Sequence, residues 1–455
     1  MKFSNFKEIS KQWNCFSATD TLGSFDFYTT IVSLDSLTLP EIRIAKEKLS
    51  EFYQHSLQDP NTLLDENSYH PIAKVFPLAV HEYTHFIDAT STIWGLNYLK
   101  IMKESYESNN VRGGRESDFH KAKKHYDFIR KLRLPEYYTL REPNTLNVRP
   151  WRYKLTTGLL FDQQGNPSDR AVAFTQFMNA KNEFLVRSPI SMVALLEMSA
   201  MAQEVLMNIF LLMSTNTEFQ SIEGSQYSNV LMEYLYNPDI TEYSVCVHLV
   251  ANLLSLEDPA LAFRVCAVLS RIILNVPINY FSRLSESCPI QNILRLHEND
   301  NAVQYFRNGL SSCDYGTLFY LMCHALPKGN YESAQAIQSS VEASISELGI
   351  NLEEMQSDMT REAQDLCQQI VTSKIPEIQQ LAKAGYQNFL KIKANNPRIT
   401  LEQLNLPPVL LSDSEYLSIF PNANNLLSTF NIDSAFEELY SKGQAWVERF
   451  SEACV

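Results

Sequence analysis

The chain has 455 residues, 45% of them apolar and 11% aromatic, enough to bury a substantial core and too apolar for wholesale disorder. Its formal charge of −14 excludes a general nucleic-acid binder, which needs a basic surface. No run of about 18 uncharged apolar residues appears. The longest candidate, Met192 to Met213, is interrupted by Glu197, Gln203, Glu204 and Asn208, so no membrane partner is expected.

The opening stretch, MKFSNFKEISKQWNCF, lacks the apolar core and cleavage site of a signal peptide. Ser24 to Leu34 is β-branched and aromatic and reads as a strand. Pro40 to Ser50 reads as a helix with proline in its first turn. A long helical pattern starts at Pro71 or Pro77 and runs to Glu107, with Gly95 bending or ending it. Asn109 to Asp118, holding Gly113 and Gly114, reads as a loop, and a charged helix follows over Ser117 to Leu134. Residues 150–190 turn at Gly165-Asn166-Pro167 and read as a small sheet, with two short strands around Asn179 to Asn182. Ser188-Pro189 reads as the start of a helix that ends near Met213. The remainder is helix after helix, punctuated near Pro327 and Pro407-Pro408. Gly349 is expected to end one helix and Asn351 to cap the next. The fold class expected is mainly α with a small β component, in three segments: 1–70, 71–255 and 256–455.

Eight cysteines (Cys15, Cys246, Cys266, Cys288, Cys313, Cys323, Cys367 and Cys454) are scattered singly, with no CxxC pair. They read as reduced thiols, which suits a cytoplasmic protein. Cys246-Val-His248 and Cys323-His324 read as core thiols with incidental histidines.

The segment FPLAVHEYTHFIDATSTIWG, Phe76 to Gly95, carries His81, Glu82 and His85 among apolar neighbours. Residues four apart share one helix face, so the two imidazoles can converge on one metal ion. Glu82 then lies beside the open coordination position, where it can take a proton from a bound water. A helix apolar nearly all round is usually buried, and buried histidine and glutamate must be hydrogen-bonded or ligated.

This HExxH pattern resembles the zincin metallopeptidases. The metzincin extension, HExxHxxGxxH, is missing: position 88 is Asp88 and position 91 is Ser91. The chain is therefore more similar to the gluzincin branch, where a glutamate from a later helix is the third ligand. The resemblance covers residues 70–250. It implies Zn2+ as cofactor, a peptide or protein as substrate, and hydrolysis in which Glu82 activates a zinc-bound water.

Glu197, in the apolar stretch SPISMVALLEMSAMAQEVLMNIF, is the expected third ligand, because a carboxylate there needs a cation or donors. Its Glu-x-x-Ser-Ala context, with Glu204 two turns on, resembles the ligand helix of several gluzincin-like families. Glu104 has the spacing of the aminopeptidase-type gluzincins, but on a continuous helix it would lie about 28 Å from His85. Glu204 and Asp88 are the other candidates, and Asp88 is better suited to orienting a histidine. Two departures from thermolysin-like enzymes stand out: the long gap from His85 to Glu197, and Met201 where those enzymes place an aspartate.

Tyr243 is the candidate donor to a tetrahedral oxyanion, with His248, Tyr227 and Arg187 as further options. His120 to Arg133 reads as a solvated basic face. No GxxxxGK[ST] or GxSxG pattern is present. The reading is a zinc metallopeptidase core with a helical segment, 256–455, that shapes access or binds a protein partner. The alternatives are a non-catalytic zinc protein with a helical scaffold, and a zinc hydrolase of a non-peptide substrate.

Overall fold

Capping residues and the spacing of apolar positions set the first helices. The computed structural model describes residues 22–108, 116–162, 165–297, 300–392, 396–420 and 422–447. Cys15, Cys454 and the Gly113-Gly114 loop lie outside them. Strands β1 (Ser24–Phe25) and β2 (Val32–Leu34) lead into helix α1 (Leu39–Gln58). They form an antiparallel pair rather than the single strand expected. Helix α2 (Glu66–Thr90) begins earlier than its prolines suggest. Asp65 caps it, accepting from the Ser68 backbone N–H at 3.0 Å, and Pro71 and Pro77 lie inside it. Each proline removes one backbone hydrogen bond. Burial offsets that cost, since every residue from Ala79 to Thr90 is buried.

The break after α2 falls at Ser91-Thr92, and α3 (Ile93–Tyr106) starts from a Thr92 cap that accepts from the Gly95 N–H at 2.9 Å. Gly95 is needed for close approach and does not itself make the break. A Cβ there would stand 2.3 Å from the Asp88 carbonyl oxygen. Helix α4 (Glu116–Leu132) follows, its lysines paired at the surface with Asp118, Asp127 and Glu104.

A second sheet has the order β3-β6-β5-β4, from β3 (Leu140–Arg141), β4 (Arg152–Phe161), β5 (Pro167–Met178) and β6 (Phe184–Pro189). Gly165, at φ 81°, turns β4 into β5. Ser188 and Pro189 end β6 and do not start a helix. The cap is Ser191, which accepts from the Ala194 N–H at 3.2 Å and opens α5 (Met192–Met213). By length and composition α5 could cross a membrane, and most of it is buried against other helices.

Helices α6 (Thr217–Leu235), α7 (Thr241–Leu254), α8 (Pro259–Leu274), α9 (Ile278–Ser287), α10 (Ile290–Leu294), α11 (Asn301–Ser311), α12 (Tyr315–Ala325), α13 (Ala334–Glu347), α14 (Leu352–Ile370) and α15 (Pro376–Lys391) follow. Gly349, at φ 85°, lies just beyond α13, and Asn351 caps α14 by accepting from the Glu354 N–H at 3.0 Å. The protein is thus mainly α with a small β component, as the sequence pattern predicts.

The late strands β7 (Val409–Leu411) and β8 (Tyr416–Leu417) return to the start of the chain. β7 pairs in parallel with β2, Ser33 opposite Leu410, to give the sheet order β1-β2-β7-β8. Helix α2 packs on this sheet, with Phe25 and Phe86 in edge contact at 6.4 Å. The Tyr83 hydroxyl donates to the Pro407 carbonyl at 2.7 Å. One hydrophobic core surrounds α2 and α5 and extends from Phe25 to Val447. Among the described cysteines all are free, and only Cys313 is exposed.

Candidate metal centre

Helices α2 and α5 pack face to face in the core and carry the site between them. His81 and His85 project from adjacent turns of α2, their Nε2 atoms 3.3 Å apart. Glu197 comes from the second turn of α5, 1% exposed. Its Oε2 stands 3.5 Å from His81 Nε2 and 3.6 Å from His85 Nε2. Neither oxygen of this buried carboxylate has a hydrogen-bond partner in good geometry.

These three edges define a triangle whose equidistant point lies about 2.0 Å from each donor atom, the usual zinc–nitrogen and zinc–oxygen distance. Tetrahedral ligands at that distance stand about 3.3 Å apart, close to the edges observed. Two imidazole nitrogens that face one another beside an unsatisfied carboxylate are hard to explain as a hydrogen-bonded core, and are what a shared cation requires. Among the described residues this trio can hold a metal ion, its donor atoms all lying within 4.8 Å of one another.

The electrostatics are those of a proton standing where a cation fits. Burial opposes charge on His81, but the carboxylates of Glu197 and Glu204 outweigh it and hold the imidazole well above its ordinary pKa. Burial and the neighbouring His81 hold His85 below its ordinary value, against the pull of Glu197. Burial would raise Glu197, yet His85 and His81 keep its carboxyl below the usual range.

Glu204 lies outside the trio. Its Oε2 accepts a hydrogen bond from His81 Nδ1 at 2.9 Å, on the far side of the ring from Glu197. Sequence reasoning assigned the orienting role to Asp88, and the structure gives it to Glu204. The signal was present: residues 197 and 204 are seven apart and share one helix face, so one carboxylate can reach Nε2 and the other Nδ1. Asp88 instead hydrogen-bonds Ser199 and faces Arg271. Glu104 lies on α3 beside Lys124, at 3.4 Å, outside the trio.

Glu82 is buried on the same helix as the histidines. Gly23, at the entry to β1, packs against it. A Cβ at Gly23 would stand 2.7 Å from Glu82 Oε1 and 2.9 Å from its Cγ, so a larger residue there would displace this side chain. Nothing local in the sequence marks Gly23.

Tyr243 lies in the first turn of α7, buried, its ring edge-on to Tyr234 at 5.9 Å. Its neighbour Glu242 is ion-paired with Arg133 and is held above the ordinary range by burial, with a smaller contribution from the charge of Glu197. The start of α7 is thus within electrostatic reach of the ligand carboxylate. Tyr227, on α6, lies within reach of Glu204 and is pushed up by burial and by that charge. His248 is stacked on Trp151 at 5.9 Å, and Arg187 lies over the Phe174 ring at 4.4 Å.

No protein-family model, curated protein or solved structure matches the chain.

Proposed function

We propose that the protein is a zinc-dependent hydrolase of the zincin type, a metallopeptidase that cleaves peptide bonds. The observation that carries this reading is the triangle of His81, His85 and Glu197, of zinc-ligand size, with Glu82 on the same helix. Two imidazoles and one carboxylate are the donor set of catalytic rather than structural zinc sites, and would leave a zinc ion room for a water. A zinc ion held there supplies Lewis acidity to a water and to a scissile carbonyl. Glu82 takes the proton of the attacking water and delivers it to the leaving amine. Glu204 fixes the ring of His81 by its bond to Nδ1. Tyr243 supplies a hydrogen bond to the oxygen that gains charge. The substrate is a peptide or protein, and residues 256–455 offer a surface for a protein partner.

A structural metal is the second reading, favoured by the burial of the site: His81, Glu82, His85 and Glu197 are 7%, 4%, 3% and 1% exposed. One variant separates the two. Glu82→Gln should retain stoichiometric metal by elemental analysis and lose cleavage of a mixed peptide library read by mass spectrometry. If the purified wild-type protein holds no metal, or the variant cleaves as the wild type does, the peptidase reading fails. A structural metal predicts bound metal and no cleavage by either protein.

A further inference from the structure

The sheet that leads into α5 ends on β4, in the order β3-β6-β5-β4. The other edge strands among the described residues, β1, β3 and β8, are two residues long, whereas β4 has ten. It pairs with β5 on its inner side. Where that register shifts, β5 advances from Ala171 to Pro167 while β4 advances from Leu159 to Phe161, so the extra residues lie on β5 and β4 stays regular. No residue of β4 is buried, although Ala171 to Thr175 beside it all are. A long regular edge open to solvent is a template for another strand.

The direction of the backbone groups follows from the hairpin. The Asp162 N–H turns inward and donates to the Asn166 carbonyl at 2.8 Å. The Phe161 N–H turns the other way and donates to the Tyr138 hydroxyl at 2.6 Å. Alternate residues of a strand turn their backbone groups to the same side, so Leu159, Thr157, Leu155 and Tyr153 also face the outer edge.

The strand is complementary to a second copy of itself. Side chains opposite one another in an antiparallel pair point to the same face, so a two-fold axis must set one residue against its own counterpart. With Thr157 on the axis, Leu155 lies opposite Leu159 of the second copy, Tyr153 opposite Phe161 and Arg152 opposite Asp162. Tyr153 and Phe161 are the exposed aromatic residues of β4, at 38% and 48%, and this register covers each with the other. Arg152 and Asp162 are both exposed and opposite in charge. Within its own chain Arg152 donates to Asn182 at 2.8 Å, and Asp162 accepts from the Asn166 N–H at 2.8 Å. A guanidinium and a carboxylate each have capacity for further bonds. Lys154 falls opposite Leu160, so no like charges meet. We propose that β4 is a dimerisation edge, on which a second copy of this chain adds its own β4 antiparallel and joins the two sheets into one. The inference does not rest on the hydrolase reading, because β4 carries none of the metal residues.

The test is sedimentation velocity of the full chain from about 1 to 200 µM, a range suited to a joint at the small end of protein interfaces. The wild type should pass from one chain to two as its concentration rises. Thr157→Lys sets two ammonium groups against each other on the axis, at a side chain exposed in the single chain. Thr157→Pro removes an N–H that faces the outer edge and leaves the ladder to β5 in place. Each should weaken association by about tenfold or more while circular dichroism stays that of the wild type. A chain that stays single at about 200 µM overturns the inference and leaves the edge to a strand of a different protein. A dimer that folded Thr157→Lys forms as readily as the wild type places the joint elsewhere and overturns it as well. Should Thr157→Pro fail to fold, Thr157→Lys still decides the matter.

Discussion

Acidification should weaken this protein through His125, and the size of the effect follows from its surroundings. His125 is fully buried on α4 among the rings of Tyr28, Tyr98 and Tyr106, with centroids 5.8, 6.0 and 5.3 Å away. Neither ring nitrogen has a hydrogen-bond partner. Burial without a counter-charge therefore pushes its pKa down to about 3. In the unfolded chain the same imidazole titrates near about 6.5. Above that pH both states are neutral there and His125 contributes no pH dependence. Below it the unfolded chain takes up a proton that the folded protein refuses. Stability then falls by about 1.4 kcal/mol per pH unit, a loss of about 3 kcal/mol by pH 4.5. Other groups act in the opposite direction. Burial raises Asp26 to about 6 and Asp88 to about 7, so each binds a proton more readily folded than unfolded and offsets part of the loss. The measurement is thus a difference: urea unfolding of wild type and His125→Phe, an apolar ring of similar size, from pH 7.5 to 4.5. The gap between the two stabilities should change by about 3 kcal/mol across that range, in favour of the variant at low pH. Parallel curves would refute the reasoning.

Glu204→Gln should weaken metal binding by about 10- to 100-fold without abolishing it, as read by competition with a chromophoric chelator, because the His81 ring loses its carboxylate partner. Glu197→Ala should go further and leave no stoichiometric metal after dialysis, since two imidazoles alone make a poor site. Chelation of the wild-type protein should lower its melting temperature, and adding metal back at about 1,000 times its Kd should restore about 4 kcal/mol of stability; an unchanged melting curve would count against a folded-state metal site. Gly385→Ala should destabilise the fold by about 1–3 kcal/mol or more in urea, because its Cβ would meet the Thr90 carbonyl oxygen at 2.0 Å where α15 crosses the end of α2.

Local chemistry fixed much of this protein in advance. The spacing of His81 and His85 required one helix face, and a glutamate inside the apolar run around Glu197 required a partner. Helical periodicity also predicted a mainly α chain, with a turn at Gly165 and a cap at Asn351, because these depend on residues within a few positions of one another. The features that escaped such reasoning depend on segments far apart in sequence. Pro71 and Pro77 suggested helix starts, yet α2 runs through both, its later turns from Ala79 to Thr90 buried throughout. Gly95 and Gly23 looked like local breaks or nothing at all, and their meaning lies in a carbonyl and a carboxyl that only packing brings close. The partner of His81 Nδ1 depended on how α5 is rotated against α2, which selected Glu204 over Asp88. The pairing of β2 with β7 joins positions 33 and 410, a contact set by the collapse of the whole core and by no local preference. The sequence determined which groups could bind a cation, because short-range spacing governs which side chains share a turn. The tertiary structure decided which of them meet, because the distances between helices are set by the packing of every apolar residue between them.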